Sequence, residues 1–526
     1  MHHPSFTQAC EFTRRLWIDN DPSLANDTTL KCASSYSTTS LPSRPINVTL
    51  AVCLKNWPGW DQSKVSVPSQ WIGPLIGFLL PALVFVLTIP RNYRVPRGDR
   101  FFNLNVFVSI LWMVFAMFLL LIDVLLWIIA VFGLAGLIMV GAIDEALKDW
   151  RILRNVGQGY LTRREASYAI SLTLIGTFLP RERKDIHYDD ELVNRVVNQI
   201  CDVRDVADTR QKLHQLLGYQ SPYGAQVGAP VVFYLGSYAY SLFDTNTRLG
   251  DNDTAHAVAF GLWYGIIVLT ATACWCVLGM TQPTILESNL GRAPLRRHLP
   301  RFGRIFAPFE SPYQTVWIWN RGRCLQHWTD TAWTDTSRTN FRAPINPSIR
   351  HILNSRTNRI FASWLAIGVV TVVCALACSI SYFTPIIGFG CRATTILGYA
   401  ICQILLILAW CYHNEDNKTP FIKYPVYFVA TVCFIFAIFL AIGGTIMQLL
   451  GVYRNCVCKA GLRYWLNTAG GIVGLATDTE EHRYWGHFWF WIGTSGLIYI
   501  GALCVIGWGY FMRMKRVCWQ QIEGLR

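Results

Sequence analysis

The sequence predicts an all-α fold, a polytopic transmembrane helical bundle of about nine spans with the N-terminus outside and the C-terminus cytosolic. Three observations lead there. Hydrophobic residues fill 52% of the 526 positions and charged residues only 15%, against about a quarter charged in ordinary globular domains. The apolar residues gather in runs long enough for a bilayer core, which takes roughly 20 helical residues because no backbone group can stay unpaired in lipid. The surplus of 46 Lys and Arg over 32 Asp and Glu, a net charge of +14, collects in segments that alternate with those runs. Disorder, collagen and a single soluble domain are excluded by this composition.

The clear runs are 71–89, 257–280, 361–384, 394–412, 425–450 and 488–510, with 228–244 shorter but adequate. The stretch 104–143 would be about 60 Å long as one helix, twice the bilayer. Its one charge, Asp123, stands at the midpoint, so the stretch reads as a hairpin of two spans turning there. A single tilted helix running on into protein is the alternative. The apolar run 166–179 is too short to cross; Thr162 and Glu165 have capping-box spacing at its start, which suits an interfacial or packed cytosolic helix. The organisation that follows is an ectodomain at 1–70, three helices at 71–143, a cytosolic amphipathic segment at 144–227 and two helices at 228–280. An Arg/Trp-rich cytosolic loop at 281–360 precedes three helices at 361–450, an external Cys-containing loop at 451–487, a ninth helix at 488–510 and a basic tail at 511–526.

Three patterns agree on orientation. The segments assigned to the cytosol hold 34 of the 46 Lys and Arg, and the short ones obey the positive-inside rule through Arg91, Arg94, Arg97 and Arg100 after the first span and Arg513, Lys515 and Arg516 after the last. Glycosylation sequons at Asn26, Asn47 and Asn252 fall outside, and the one at Asn417 falls inside, where it would be silent. Of 17 cysteines, the external segments hold Cys10, Cys32, Cys53, Cys391, Cys456 and Cys458, an even number in an oxidising space. Disulfides are expected among these six, with the connectivity open; free or lipid-modified thiols are the alternative. The N-terminus has no basic region followed by an apolar core, so no signal peptide is expected and the first span would translocate the residues before it.

The soluble parts suggest partners. Leu192, Val196, Ile200, Val203, Val206, Leu213 and Leu217 recur at helical spacing, an amphipathic helix or helix pair that would dock on protein, within the chain or on a cytosolic partner. Between positions 292 and 359 stand 12 Arg and no Lys, interleaved with Trp317, Trp319, Trp328 and Trp333. That composition suits anionic lipid headgroups and equally an ordinary basic loop; its tethering at both ends argues against nucleic acid.

Catalytic signatures are missing. Ionisable groups within spans mark ion or proton pathways, and here only Asp123, at the expected turn, and Asp244, at a span end, come close. No expected span contains a histidine, which argues against haem and metal at membrane depth; no cofactor, no metal site and no catalytic residue are assigned. His482 and His487 with Glu481 form the one neighbourhood offering titratable groups to a membrane enzyme, and a Trp-rich interface explains them as anchors. Gly133, Gly136, Gly141, Gly443 and Gly444 read as close helix packing, and Pro74, Pro81 and Pro425 as sites where helices could break. Cys518, beside Lys515 and Arg516, is a palmitoylation candidate, an unmodified thiol being the alternative.

The segments GAQVGAPVVFYLGSYAYSLFD at 224–244 and GGTIMQLLGVYRNCVCKAG at 443–461 resemble a group of multi-spanning membrane proteins of filamentous fungi with no known activity. The resemblance extends from the first span to the last. It implies topology and transfers no site residue. The expected function is a non-enzymatic, receptor-like or scaffold protein of the plasma membrane or secretory pathway with a disulfide-linked outer cap. A transporter or channel for an uncharged or apolar small molecule is the alternative, ahead of a membrane-embedded enzyme.

Overall fold

The computed structural model describes residues 6–32, 36–37, 39–63, 70–71, 75, 79–81, 83–84, 106–159, 161–175, 206–218, 220, 223–278, 351–352, 355–384, 390–413, 420–460 and 470–525. Helix α1 (Phe6–Asn20) and a 3₁₀ turn (Pro22–Asn26) lead to strand β1 (Asn47–Thr49) and helix α2 (Leu50–Asn56). Next come α3 (Val106–Gly133), α4 (Ala135–Gly157), α5 (Arg163–Ile175), α6 (Val206–Gly218), α7 (Ala229–Thr247) and α8 (Asn252–Trp275). They are followed by α9 (Arg356–Tyr382), α10 (Cys391–His413) and α11 (Pro420–Ile438), which continues through a π-helical turn (Phe439–Gly443) into α12 (Gly444–Leu450). Helix α13 (Cys456–Ala460), strand β2 (Ile472–Gly474) and the 44-residue α14 (Glu480–Glu523) complete the order.

Among the described residues, five helices are long and apolar enough to cross a membrane: α8, α9, α10, the continuous run 424–450 and α14. The bent pair 124–133 and 135–157 raises the number to six. The expectation of nine is corrected accordingly. The first expected span, 71–89, lies mostly outside the described residues, as do the loop residues 281–350 and Asn417. Helix α7 is too polar to count, its 19 residues including Ser237, Ser241, Asp244, Asn246 and Thr247. No hairpin forms at Asp123: α3 runs unbroken through that position, where neither Gly nor Pro interrupts the helical backbone. The chain turns instead at Leu134, by 81°, between Gly133 and Gly136.

A helix broken inside an apolar bundle frees backbone groups that must find partners. Gln403, fully buried on α10, supplies two: its Oε1 accepts from the Gly136 amide at 2.9 Å and its Nε2 donates to the Gly133 carbonyl at 2.9 Å. The Tyr399 hydroxyl donates to the Phe132 carbonyl at 2.7 Å. The π-helical turn sits beside the break, since a side chain at Gly133 would come within 2.6 Å of Ile438. Pro425, by contrast, lies inside α11 without ending it.

Helix α8 is the centre of the bundle. It is buried along its whole apolar length and packs on α4, α7, α9 and α14. Glycines on α14 permit the approach: a methyl at Gly493 would meet Leu242 at 2.5 Å, and one at Gly496 would meet Leu262 at 2.1 Å. Small residues at such crossings let dispersion contacts replace the hydrophobic drive that lipid removes. The outward faces carry large apolar side chains such as Trp364, Phe428, Phe439 and Trp491, as a surface bathed in acyl chains requires.

At about 66 Å, α14 outruns a bilayer, and one face of its C-terminal half, with Phe511, Met514, Cys518 and Ile522, is buried against protein. The Tyr510 hydroxyl donates to the Ala146 carbonyl at 2.6 Å, Arg513 stacks over Trp150 and His214 reaches Glu523 at 3.0 Å. Helix α5 opens on the expected capping box, the Thr162 amide donating to Glu165 Oε2 at 2.8 Å and the Glu165 amide to Thr162 Oγ1 at 3.4 Å. Helix α6 represents the 206–218 part of the amphipathic segment. It buries Leu213, Leu216 and Leu217 and packs on α5 and α14, so this part docks within the chain.

A separate small core forms the cap. Ala9, Leu30, Ile46, Leu50, Val473 and Leu475 are buried together with four cysteines. Strands β1 and β2 pair antiparallel with Val48 opposite Val473. The cap thus joins the N-terminal segment to residues 456–460 and 473–476 across the length of the chain.

Candidate functional site

Three disulfides fasten the cap. Cys10 pairs with Cys32 within it, Cys53 on α2 with Cys456 on α13, and Cys391 at the start of α10 with Cys458 on α13. All six externally assigned cysteines are therefore paired. Cys391–Cys458 carries the cap directly onto the bundle. Arg483, in the first turns of α14, adds a second tie: it bonds both Asp478 oxygens at 2.8 Å, donates to the Ser40 carbonyl at 2.9 Å and stacks on Tyr36.

Near the bridge that ties the cap to α10 lies a small polar recess with room for about one water molecule, lined by Gln70, Asp253, Ala257, Arg392, Gln448, Gly451 and Arg454. The sequence dictates its geometry locally. Gly451 ends α12 in the left-handed conformation at φ 78°, and a methyl there would fall 2.4 Å from the Asp61 carbonyl oxygen, so only glycine lets the chain turn back over the helix end. That turn delivers Arg454, which donates to the Asp61 carbonyl at 3.1 Å, to Asp253 Oδ2 at 3.2 Å and to Ser63 Oγ at 2.9 Å. Gln70 donates to the same Asp253 oxygen at 3.0 Å.

Arg392 is the residue after the bridged Cys391, so the disulfide fixes its backbone. Its Nε donates to Gln448 Oε1 at 2.9 Å and its Nη1 to His256 Nε2 at 2.5 Å, with the Tyr453 ring 5.4 Å away. A guanidinium only donates, so His256 accepts through Nε2 and carries its proton on Nδ1. Lys459, on α13, adds a further cation: burial lowers its ammonium to about 8, with Asp253 opposing the shift and Arg392 reinforcing it.

Asp251 caps α8 beside this cavity, its side chain accepting from the Asp253 amide at 3.2 Å. Burial, and then the Asp253 charge, raise its carboxyl from 3.8 to about 6. Between those values the folded chain holds a proton that the unfolded chain has released. The contribution is therefore full below about 3.8 and is lost as pH rises through about 6. Asp251→Asn keeps a capping oxygen and should remove that fall from a plot of Tm against pH; an unchanged curve would exonerate Asp251.

A second polar cluster lies on α4, in the part of the chain expected to be cytosolic. Lys148 Nζ meets Asp144 Oδ2 at 2.7 Å and Glu145 Oε1 at 3.0 Å, all three buried, and Asp149 Oδ2 accepts from the Leu278 amide at 3.2 Å. The Lys148 pairs lie within α4, and the Asp149 bond ties α4 to the segment that follows α8, a structural use of buried charge.

The remaining expected sites divide. Asn26 and Asn47 are exposed. Asn252 is half-buried, its Oδ1 enclosed and its Nδ2 3.5 Å from His482. His482 is buried against Thr479, whereas His487 and Glu481 are exposed, so they do not converge. Asp244 pairs with Arg248 at 3.1 Å. Cys518 is fully buried. Hydropathy missed His256 and Arg392 because polar residues at helix ends were trimmed from the apolar runs. A signal was present: Arg392 and Arg454 stand one and two residues from bridged cysteines.

Among the described residues, five or six membrane-length apolar helices and three disulfides define the class, a multi-span helical membrane protein. No protein-family model matches the chain, and comparison with curated proteins and with solved structures finds no match to either.

Proposed function

We propose that this is a receptor-like binding protein of the plasma membrane or a secretory-pathway membrane, without enzymatic activity, whose cap faces the oxidising side. The observation that carries the reading is the polar recess beside the cap: its side chains converge from Gln70, α8, α10 and the end of α12, while α8 below it is packed on every side. A polar recess over a filled core suits binding better than passage. The same orientation leaves the Arg-rich loop 281–360 for anionic lipid headgroups and residues 191–205 for a cytosolic protein partner.

One feature favours transport instead, the break at Leu134, because broken helices near mid-bundle form transporter sites. Its freed groups, however, are taken by Tyr399 and Gln403, which suits a fixed joint. The two readings separate in one experiment. Compounds that raise the thermal stability of the purified chain in nanodiscs are tested for uptake by proteoliposomes holding the same chain. Stabilisation without uptake is expected; uptake of a stabilising compound would overturn the receptor reading in favour of transport.

A further inference from the structure

We propose that the cap rests on the bilayer, with an apolar patch of α1 and α2 seated in the leaflet on its own side. Phe12, Leu16, Leu54, Trp57 and Trp60 make the patch. Helix α1 buries Ala9, Cys10 and Thr13, and Phe12 and Leu16, one turn apart at the edge of that buried face, stand 49% and 46% exposed. Helix α2 repeats the arrangement, burying Leu50 and Cys53 while Leu54 beside them stays 41% exposed. The two helices meet where the Phe12 ring packs edge-on against Trp57 at 5.8 Å. Trp60, one step further along the chain, is 41% exposed. Single exposed apolar residues need no explanation, whereas a set of them on adjoining elements marks a surface that meets something other than water.

The occupant follows from where the patch ends. Trp60 forms an antiparallel bridge with Asn455, the Asp61 amide donates to the Arg454 carbonyl at 2.9 Å and the Ser63 amide to the Leu450 carbonyl at 3.4 Å. Residues 60–63 therefore run beside the end of α12, which closes the membrane-length run 424–450. There Ile446, Met447 and Leu450 are exposed, apolar side chains that a membrane helix turns to lipid. The patch thus continues a lipid-facing surface at the depth of the headgroups, where the amphipathic ring of tryptophan is favoured. Phe12 and Leu16 on one side of a surface helix complete the pattern of an interfacial anchor. Charge adds little, because the exposed cations Arg15 and Lys55 are matched by exposed Glu11 and Asp19. Apolar burial, not attraction to anionic lipid, holds the patch.

The test uses the full chain in nanodiscs, with Leu16, Leu54, Glu11 and Phe428 each replaced in turn by p-benzoylphenylalanine and the photoadducts identified by mass spectrometry. Leu16 and Leu54 should give lipid adducts, as should Phe428 on the outward face of α11. Glu11, exposed on the polar side of α1, should give none. Retention of the Cys53–Cys456 bridge shows in each case that the cap is folded. The adducts at Leu16 and Leu54 should be undiminished when phosphatidylcholine is the only lipid; their loss without phosphatidylglycerol would overturn the apolar anchoring. No lipid adduct at Leu16 and Leu54 while Phe428 is labelled, or equal labelling of Leu16 and Glu11, would overturn the proposal. So would cross-links from Leu16 to a second copy or to another protein, in place of lipid, when the same chains are irradiated in cell membranes.

Discussion

Gln403→Leu should destabilise the chain by roughly 2–6 kcal/mol, since it strands two buried backbone groups at about 1–3 kcal/mol each. The Gly136 amide and the Gly133 carbonyl both depend on this one amide side chain. Leucine has similar size and higher hydropathy, so composition alone would predict a neutral or favourable change in a membrane bundle. The opposite expectation comes from the bend: where the helix breaks by 81°, lipid and apolar side chains offer no substitute partner. Thermal unfolding in detergent or nanodiscs measures the effect. Leu408→Ala, on the outward face of the same helix and 50% exposed, is the comparison and should stay within about 0.5 kcal/mol. A Gln403→Leu variant as stable as that comparison would mean that the bend is not held by Gln403.

The joint replacement of Cys53 and Cys456 by serine should be the second large change, about 2–4 kcal/mol of cap stability. The bridge joins positions 403 residues apart. Loop-closure entropy alone would suggest a larger value, but spans that stay in the bilayer already confine both ends in the unfolded ensemble. What remains without the bridge is weak. Strands β1 and β2 pair over three residues each, and a pairing so short does not hold by itself. The observable is limited proteolysis: the N-terminal 60 or so residues should be released from the double variant at a protease level that leaves the wild type intact. Equal resistance would assign the cohesion of the cap to its small apolar core and to Arg483.

These two sites differ in how far the sequence revealed them. The membrane class and the set of bridged cysteines were legible, because apolar run length and the placement of cysteines between runs are one-dimensional signals. The capping box at Thr162 and Glu165 was legible for the same reason. Gln403 was not: a lone amide in an apolar run gives no periodicity, and its use depends on a break in another helix 267 residues away. The break itself was misplaced at Asp123 because a charge was taken as the turn marker, whereas the glycines flanking Leu134 permit the bend. The span number was too high because 104–143 was divided into two spans and 228–244, short but accepted, sits in a helix too polar to count. The cavity was illegible for a further reason. Gln70, Asp253, Arg392, Gln448 and Arg454 come from four separate stretches of chain that meet only in the folded protein.

The account depends most on that fastening, and peptide mapping by mass spectrometry without reduction tests it most directly on chain extracted from its native membrane with thiols blocked. Three cross-linked peptide pairs are expected, joining Cys10 to Cys32, Cys53 to Cys456 and Cys391 to Cys458. Recovery of these six cysteines as alkylated thiols, or joined in another order, would contradict the cap and with it the recess beside it.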